Sequence, residues 1–287
     1  MVEQILEALT YPPIQRAVLA CILCGASCAL LSVFVVLMRM PLIGVSMSHA
    51  AFAGAVVGML LDVNPFLSGF ILCLLTAAVL GPLSDRTDIA PENLLGILLS
   101  FLMGIAFLGM GILTKTKAGA LNLMWGSLLT LSGGDLTVLA IVTGTLASFV
   151  ILFFKEIRAV LFNRRLAASG GVPERLIYYA LLFLTGAVVS SNLATVGGLL
   201  IFALLVQPGA TAMQLTYNLK SFFCISTASG ILACVLGLVV SYFFDIPSGA
   251  SVILVSTLLF TLAFVFSPKR RTTTLKKRKP SYENESR

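Results

Sequence analysis

Residues 16–38 read RAVLACILCGASCALLSVFVVLM. After Arg16, the next 22 residues carry no charge. A helix of that length spans about 33 Å, enough to cross a hydrocarbon core ~30 Å thick. Similar windows recur along the 287 residues, which are 58% hydrophobic and only 11% charged, with a mean hydropathy of +1.03. A soluble domain carries about 25% charged residues. In lipid every backbone polar group must be satisfied internally, which helices do. The sequence therefore predicts an all-α, polytopic transmembrane bundle of eight to nine membrane segments.

Breaks at charged residues, prolines and asparagines divide the chain near 16–38, 43–61, 64–84, 92–113, 134–154, 173–190, 195–207, 221–243 and 248–266. Two segments are irregular. The window 43–61 holds Gly44, Ser46, Ser48 and Gly54, and 195–207 is short and ends at Gln207-Pro208-Gly209. Interrupted helices of this kind are tolerated where neighbours or a cavity satisfy the freed backbone, and transport sites use them. We expect a permease domain over 1–267 and a basic, disordered tail over 268–287. The opening MVEQILEALTYPP has glutamates where a secretory signal has positive charge, so a cleaved signal is not expected.

Alternating nine segments places 16 of the 19 Lys and Arg on one side. They are Arg39, Arg86, Lys155, Arg158, Arg164, Arg165, Arg175, Lys220 and eight in 269–287, with Arg16, Lys115 and Lys117 opposite. The positive-inside bias then predicts a multi-pass protein of the inner (plasma) membrane with a cytoplasmic C-terminus. The basic tail reads as a topology anchor drawn to anionic membrane lipid, with no nucleic-acid partner.

Enzyme chemistry fails on inventory. His49 is the only histidine, its neighbour Ser48 points about 100° away on a helix, and no Walker A, H-E-x-x-H or G-x-S-x-G pattern occurs. An intramembrane hydrolase built on Ser46 or Ser48 lacks a separate base. No carboxylate falls in the middle of an apolar segment, which also argues against a proton-coupled carrier. Cys21, Cys24 and Cys28 share one helix face; without a second ligand pair they read as small-residue packing rather than a thiol metal relay. His49 itself is either a histidine bonded to a backbone carbonyl or a residue of a transport pathway. No cofactor is expected. Two stretches, 162–176 and 207–220, look like docking surfaces for a partner that supplies energy, the second beginning a short helix at Pro208.

RMPLIGVSMSHAAFAGAVVG (39–58), VGGLLIFALLVQPGATAMQLT (196–216) and FDIPSGASVIL (244–254) resemble the three signatures of the ABC-3 family. These are the permeases of bacterial ATP-binding cassette importers for zinc, manganese or iron. LLDVNPF (60–66), NLLGILLS (93–100) and FNRRLAASGGV (162–172) resemble its weaker landmarks in the right order, so the resemblance covers residues 14–267. It implies a type II importer-like permease that pairs with a second copy, as a homodimer. Two cytosolic ATPase subunits power it, and a separate extracytoplasmic metal-binding protein supplies the ion. The alternative is a type II permease for a metal chelate or small organic cofactor.

The resemblance also implies residue roles. The family's S-H-A histidine, a metal ligand, matches His49, with Val45, Ser46 and Ser48 lining the pathway. The family aspartate one turn before that histidine is Val45 here. Coupling to the ATPase falls on Pro208, Gly209, Thr211 and Ala212, and on Asn163 and Gly170, where Asn163 stands for a family aspartate. Without the carboxylate, an imidazole site leans towards zinc or iron over manganese.

Overall fold

The computed structural model describes residues 11–87, 89–113 and 132–269. Those residues form helices and connecting turns, with no strand among them. The helices are α1 (Pro12–Leu37), α2 (Ile43–Leu60), α3 (Pro65–Arg86), α4 (Pro91–Ile112), α5 (Gly133–Leu152), α6 (Phe154–Phe162), α7 (Arg164–Ser169), α8 (Glu174–Val196), α9 (Gly198–Leu215), α10 (Leu219–Phe244) and α11 (Ser248–Val265). Eight are long and apolar enough to cross a membrane, and α9 adds a shorter apolar stretch, Leu200–Leu215. Most of the basic tail lies outside the described residues, as do Lys115 and Lys117.

Local chemistry places several helix starts. Prolines open α1, α3 and α4, where a missing N–H costs nothing. Asn64 caps α3, accepting hydrogen bonds from the N–H groups of Phe66 and Leu67, and Ser132 and Asp135 form a reciprocal capping box on α5.

The bundle is organised by depth of burial. Helices α1, α2 and α8 are inner helices, whereas α4, α5 and α11 present most of their apolar side chains outward. Leu108, Ile141 and Leu254 are all exposed, the pattern of helices facing lipid. Small residues let the inner helices approach closely. Cys21, Cys24 and Cys28 of α1 and Cys234 of α10 are buried as free thiols within this core, which supports packing as their role.

Contacts between helix ends join elements that the alternation puts on one side. Arg164 joins the end of α3 to the start of α8, and Ser267 donates from beyond α11 to the Gln214 carbonyl near the end of α9. The described basic side chains apart from Arg16 thus gather at one end of the bundle, termed below the basic end.

One expectation needs correction. The sequence reading ends an apolar segment at Gln207 and begins a new helix at Pro208. Instead, α9 runs unbroken through Pro208, and the real break is Gly197, the single residue between α8 and α9. Its φ of 84° lies in the left-handed region that glycine alone enters freely. Proline removes one ladder hydrogen bond, but α9 is held at that point from outside: the Gly209 N–H donates to Ser32 Oγ of α1 at 2.8 Å.

Candidate metal pathway on the second helix

Helix α2 is almost entirely covered by its neighbours. Between Ile43 and Val56, only Val45 and His49 retain partial exposure. They are four residues apart, one turn on the same face. With Ser48 and Phe52 they make one wall of a small cavity, completed by Leu193 of α8 and by Gly198 and Phe202 of α9. Its volume is about 60 Å³. The hairpin at Gly197 therefore carries the far wall of the His49 site.

The His49 imidazole makes no hydrogen bond to any described residue, so the backbone-carbonyl partner considered above is absent among them. A neutral imidazole keeps one ring nitrogen as a donor and one as an acceptor or metal ligand. Among the described residues, no three His, Cys, Asp or Glu side chains come close enough to hold a metal ion. One copy of the chain thus offers a single imidazole in an otherwise apolar and hydroxylic wall.

Ser48 lines the cavity, its hydroxyl donating to the Val45 carbonyl at 3.0 Å. Ser46 does not. It lies about 100° around the helix from Val45, and its hydroxyl donates to the Leu95 carbonyl of α4 at 3.0 Å. It is a buried packing contact, which corrects its expected role in the pathway.

The residues expected to couple to an ATPase fall into two groups. Pro208, Gly209, Thr211 and Ala212 are buried in the bundle, so they cannot themselves form a docking surface on this chain. Thr211 donates to the Gln207 carbonyl within α9. A Cβ on Gly209 would stand 2.6 Å from the Ser32 carbonyl oxygen, so the glycine is required by helix contact. Asn163 and Gly170 instead bracket the short helix α7 at the surface. Asn163 Oδ1 accepts from the N–H groups of Arg165 and Leu166 at 2.9 and 3.2 Å, and Gly170 ends the helix. An aspartate would cap in the same way.

Sequence reasoning missed how α7 is tied down. Arg164 bonds Asp85 at 2.9 Å and Glu174 at 2.8 Å, and its guanidinium lies 4.0 Å from the Tyr178 ring centre. Tyr179 also donates to Asp85 at 2.7 Å. Burial would lower the Arg164 pKa, but the hydrogen bonds that the guanidinium donates to both carboxylates outweigh it and hold the group above its usual value. The charges were visible in the sequence; their meeting was not, because 79 residues separate Asp85 from Arg164.

The chain matches the ABC 3 transport family over residues 10–267. It is 33% identical over 267 residues to the manganese transport system membrane protein MntC of Halalkalibacterium halodurans, covering 92% of this chain and 90% of that protein. It is 27% identical over 263 residues to the chelated iron transport system membrane protein YfeD of Yersinia pestis, covering 91% and 88%. The solved structure of PsaBC from Streptococcus pneumoniae in complex with a Fab superimposes with a TM-score of 0.84 at 27% identity, covering 96% of this chain and all of that one. The all-helical fold with its eight candidate spans is the fold expected from the sequence. A family match spanning both walls of the His49 cavity makes this a membrane transport protein, not an enzyme: the chain belongs to the ABC 3 transport family.

Proposed function

We propose that the chain is the permease of an ATP-binding cassette importer carrying a divalent transition metal, with ferrous iron the first candidate and manganese the second. The observation that carries this is the Val45–His49 face. It is the one part of α2 between Ile43 and Val56 that the chain does not bury, and it opens on a cavity of about 60 Å³. That volume suits an ion, whereas pockets for organic ligands run ~300–1,000 Å³. A second copy related by a two-fold axis would bring a second His49 to the same ion. Two imidazoles without a carboxylate favour iron or zinc over manganese. The names of the relatives point to manganese and iron, and iron is common to both arguments.

The basic end faces the cytoplasm on the positive-inside rule, which puts the C-terminus inside. Two cytosolic ATPase subunits would dock there on α7, whose Leu166 is exposed and whose base is anchored by Arg164. A metal-binding protein would deliver the ion at the opposite end. The buried Pro208–Ala212 stretch would transmit motion through α1 rather than touch the ATPase.

The test is uptake into proteoliposomes holding this permease and its co-purified ATPase, with ferrous, manganous and zinc ions and a ferric chelate offered separately. ATP-dependent uptake of free ferrous or manganous ion supports the proposal. Uptake of the chelate alone would replace it with the chelate-permease alternative.

A further inference from the structure

The basic end carries a groove that neither the metal path nor the Arg164 network uses. It lies between α6 and the turn joining α9 to α10, with a volume of about 940 Å³ and an open mouth. Lys155 and Arg158 of α6 line one side and Lys220 the other. Among the described residues none of the three is ion-paired, because the salt bridges at this end belong to Arg164 and Arg175. Glu156 sits on the same helix but does not line the groove. Lys269 adds a further positive charge at its edge, 4.0 Å from the centre of the Tyr217 ring. Lys155, Arg158 and Lys220 thus concentrate positive charge with no described ion-pair partner in the groove.

Apart from Tyr217 and Asn218, its other lining residues are apolar. Phe154 and Leu37 form part of the lining, and Phe154 is fixed by a ring contact with Phe223 at 5.9 Å. Depth matters as well. Helix α6 begins two residues after α5 ends, and the last turn of α5 leaves Ile151 and Leu152 about three-quarters exposed at 74% and 75%. The groove therefore stands at the foot of an outward-facing membrane helix, where headgroups meet acyl chains. Cations above an apolar wall at that depth match the two halves of an anionic phospholipid.

We propose that this groove binds an anionic phospholipid, its phosphate held by Lys155, Arg158 and Lys220 and its acyl chains running along Leu37, Phe154 and the exposed end of α5. The site is independent of the metal path and does not rest on which ion is carried. An acidic segment of a partner protein is the competing occupant. It would satisfy the same cations but would not use the acyl-facing wall.

The experiment uses the full-length protein purified in a mild detergent. Native mass spectrometry reads retention of added phosphatidylglycerol against phosphatidylcholine, for wild type and for a K155Q/R158Q/K220Q variant. Wild type should retain phosphatidylglycerol preferentially, and each neutralised cation should weaken retention about fivefold. A second variant, Ala159→Trp, fills the groove without removing charge and should also reduce retention, with thermal melting confirming that both variants fold. Equal retention of the two lipids, or undiminished retention by the triple variant, overturns the proposal. Competition by millimolar inorganic phosphate would identify a simple phosphate site and overturn its lipid form. Loss of a co-purified ATPase in the triple variant, with lipid preference intact, would assign the groove to the partner instead.

Discussion

Arg164 and Asp85, 79 residues apart in sequence, meet at 2.9 Å at the basic end of the bundle. This contact fastens the surface helix α7 to the end of α3, and the second bond of Arg164, to Glu174, fastens it to the start of α8. Movement of α7 would therefore pull on two membrane helices. Arg164→Ala leaves the Asp85 and Glu174 carboxylates, their side chains 16% and 15% exposed, with only the longer contacts of the exposed Arg175. It should lower stability by about 2 kcal/mol, the scale of a hydrogen bond to a charged group, read as a lower Tm in detergent. Arg164→Lys should recover only part of the loss, because an ammonium cannot present the guanidinium fork or its stacking on Tyr178. An unchanged Tm in Arg164→Ala would remove the bracket from the account.

Asn163 makes a second, smaller prediction. Its side chain caps α7 through two backbone N–H groups, which asparagine and aspartate do comparably well. Asn163→Asp should leave transport and stability unchanged, while Asn163→Ala should cost about 1 kcal/mol of local stability. Hydrogen exchange across residues 164–169 would report it as faster exchange in the alanine variant alone.

Gly209 tests packing between α9 and α1. Because a Cβ there would sit 2.6 Å from a backbone oxygen of Ser32, Gly209→Leu should destabilise the permease by about 1–3 kcal/mol or more, as overpacked cores do. The loss should appear in the permease without its ATPase. A variant with normal Tm that failed only in ATPase stimulation would instead place Gly209 at a docking surface.

Much of this architecture was legible in the residues. Pro65, Pro91 and Asn64 mark helix starts because their chemistry is local, and the lone imidazole among apolar residues stood out as costly unless used. The failures share one cause. Pro208 looked like a break because a ladder bond is lost there, but Ser32, 177 residues away, accepts the N–H of Gly209, a contact that no local pattern reveals. Ser46 and Ser48 read alike until α4 supplied an acceptor for one of them. The far wall of the His49 cavity comes from a hairpin that turns on one glycine, and period counting cannot place such a hairpin in space.

Val45 gives the sharpest contrast within the site. Aspartate at the centre of a membrane helix costs ~2.5–3.5 kcal/mol on insertion scales, and less in the first turn of α2, where Val45 lies; valine is favourable. Val45→Asp should therefore reduce the amount of inserted protein. In the protein that does insert, a carboxylate one turn from His49 should tighten metal binding and shift preference towards manganese. Equilibrium dialysis with manganous and ferrous ions would measure both effects; identical affinities in variant and wild type would show that position 45 does not face the ion.

The central claim is that the ion passes His49, and uptake by the His49→Ala variant in proteoliposomes tests it most directly. The variant should assemble with its ATPase and hydrolyse ATP, because no described residue depends on the imidazole for a hydrogen bond, yet ferrous and manganous uptake should fall to background. Uptake at the wild-type rate would contradict the account and leave His49 a bystander on the wall of an apolar cavity.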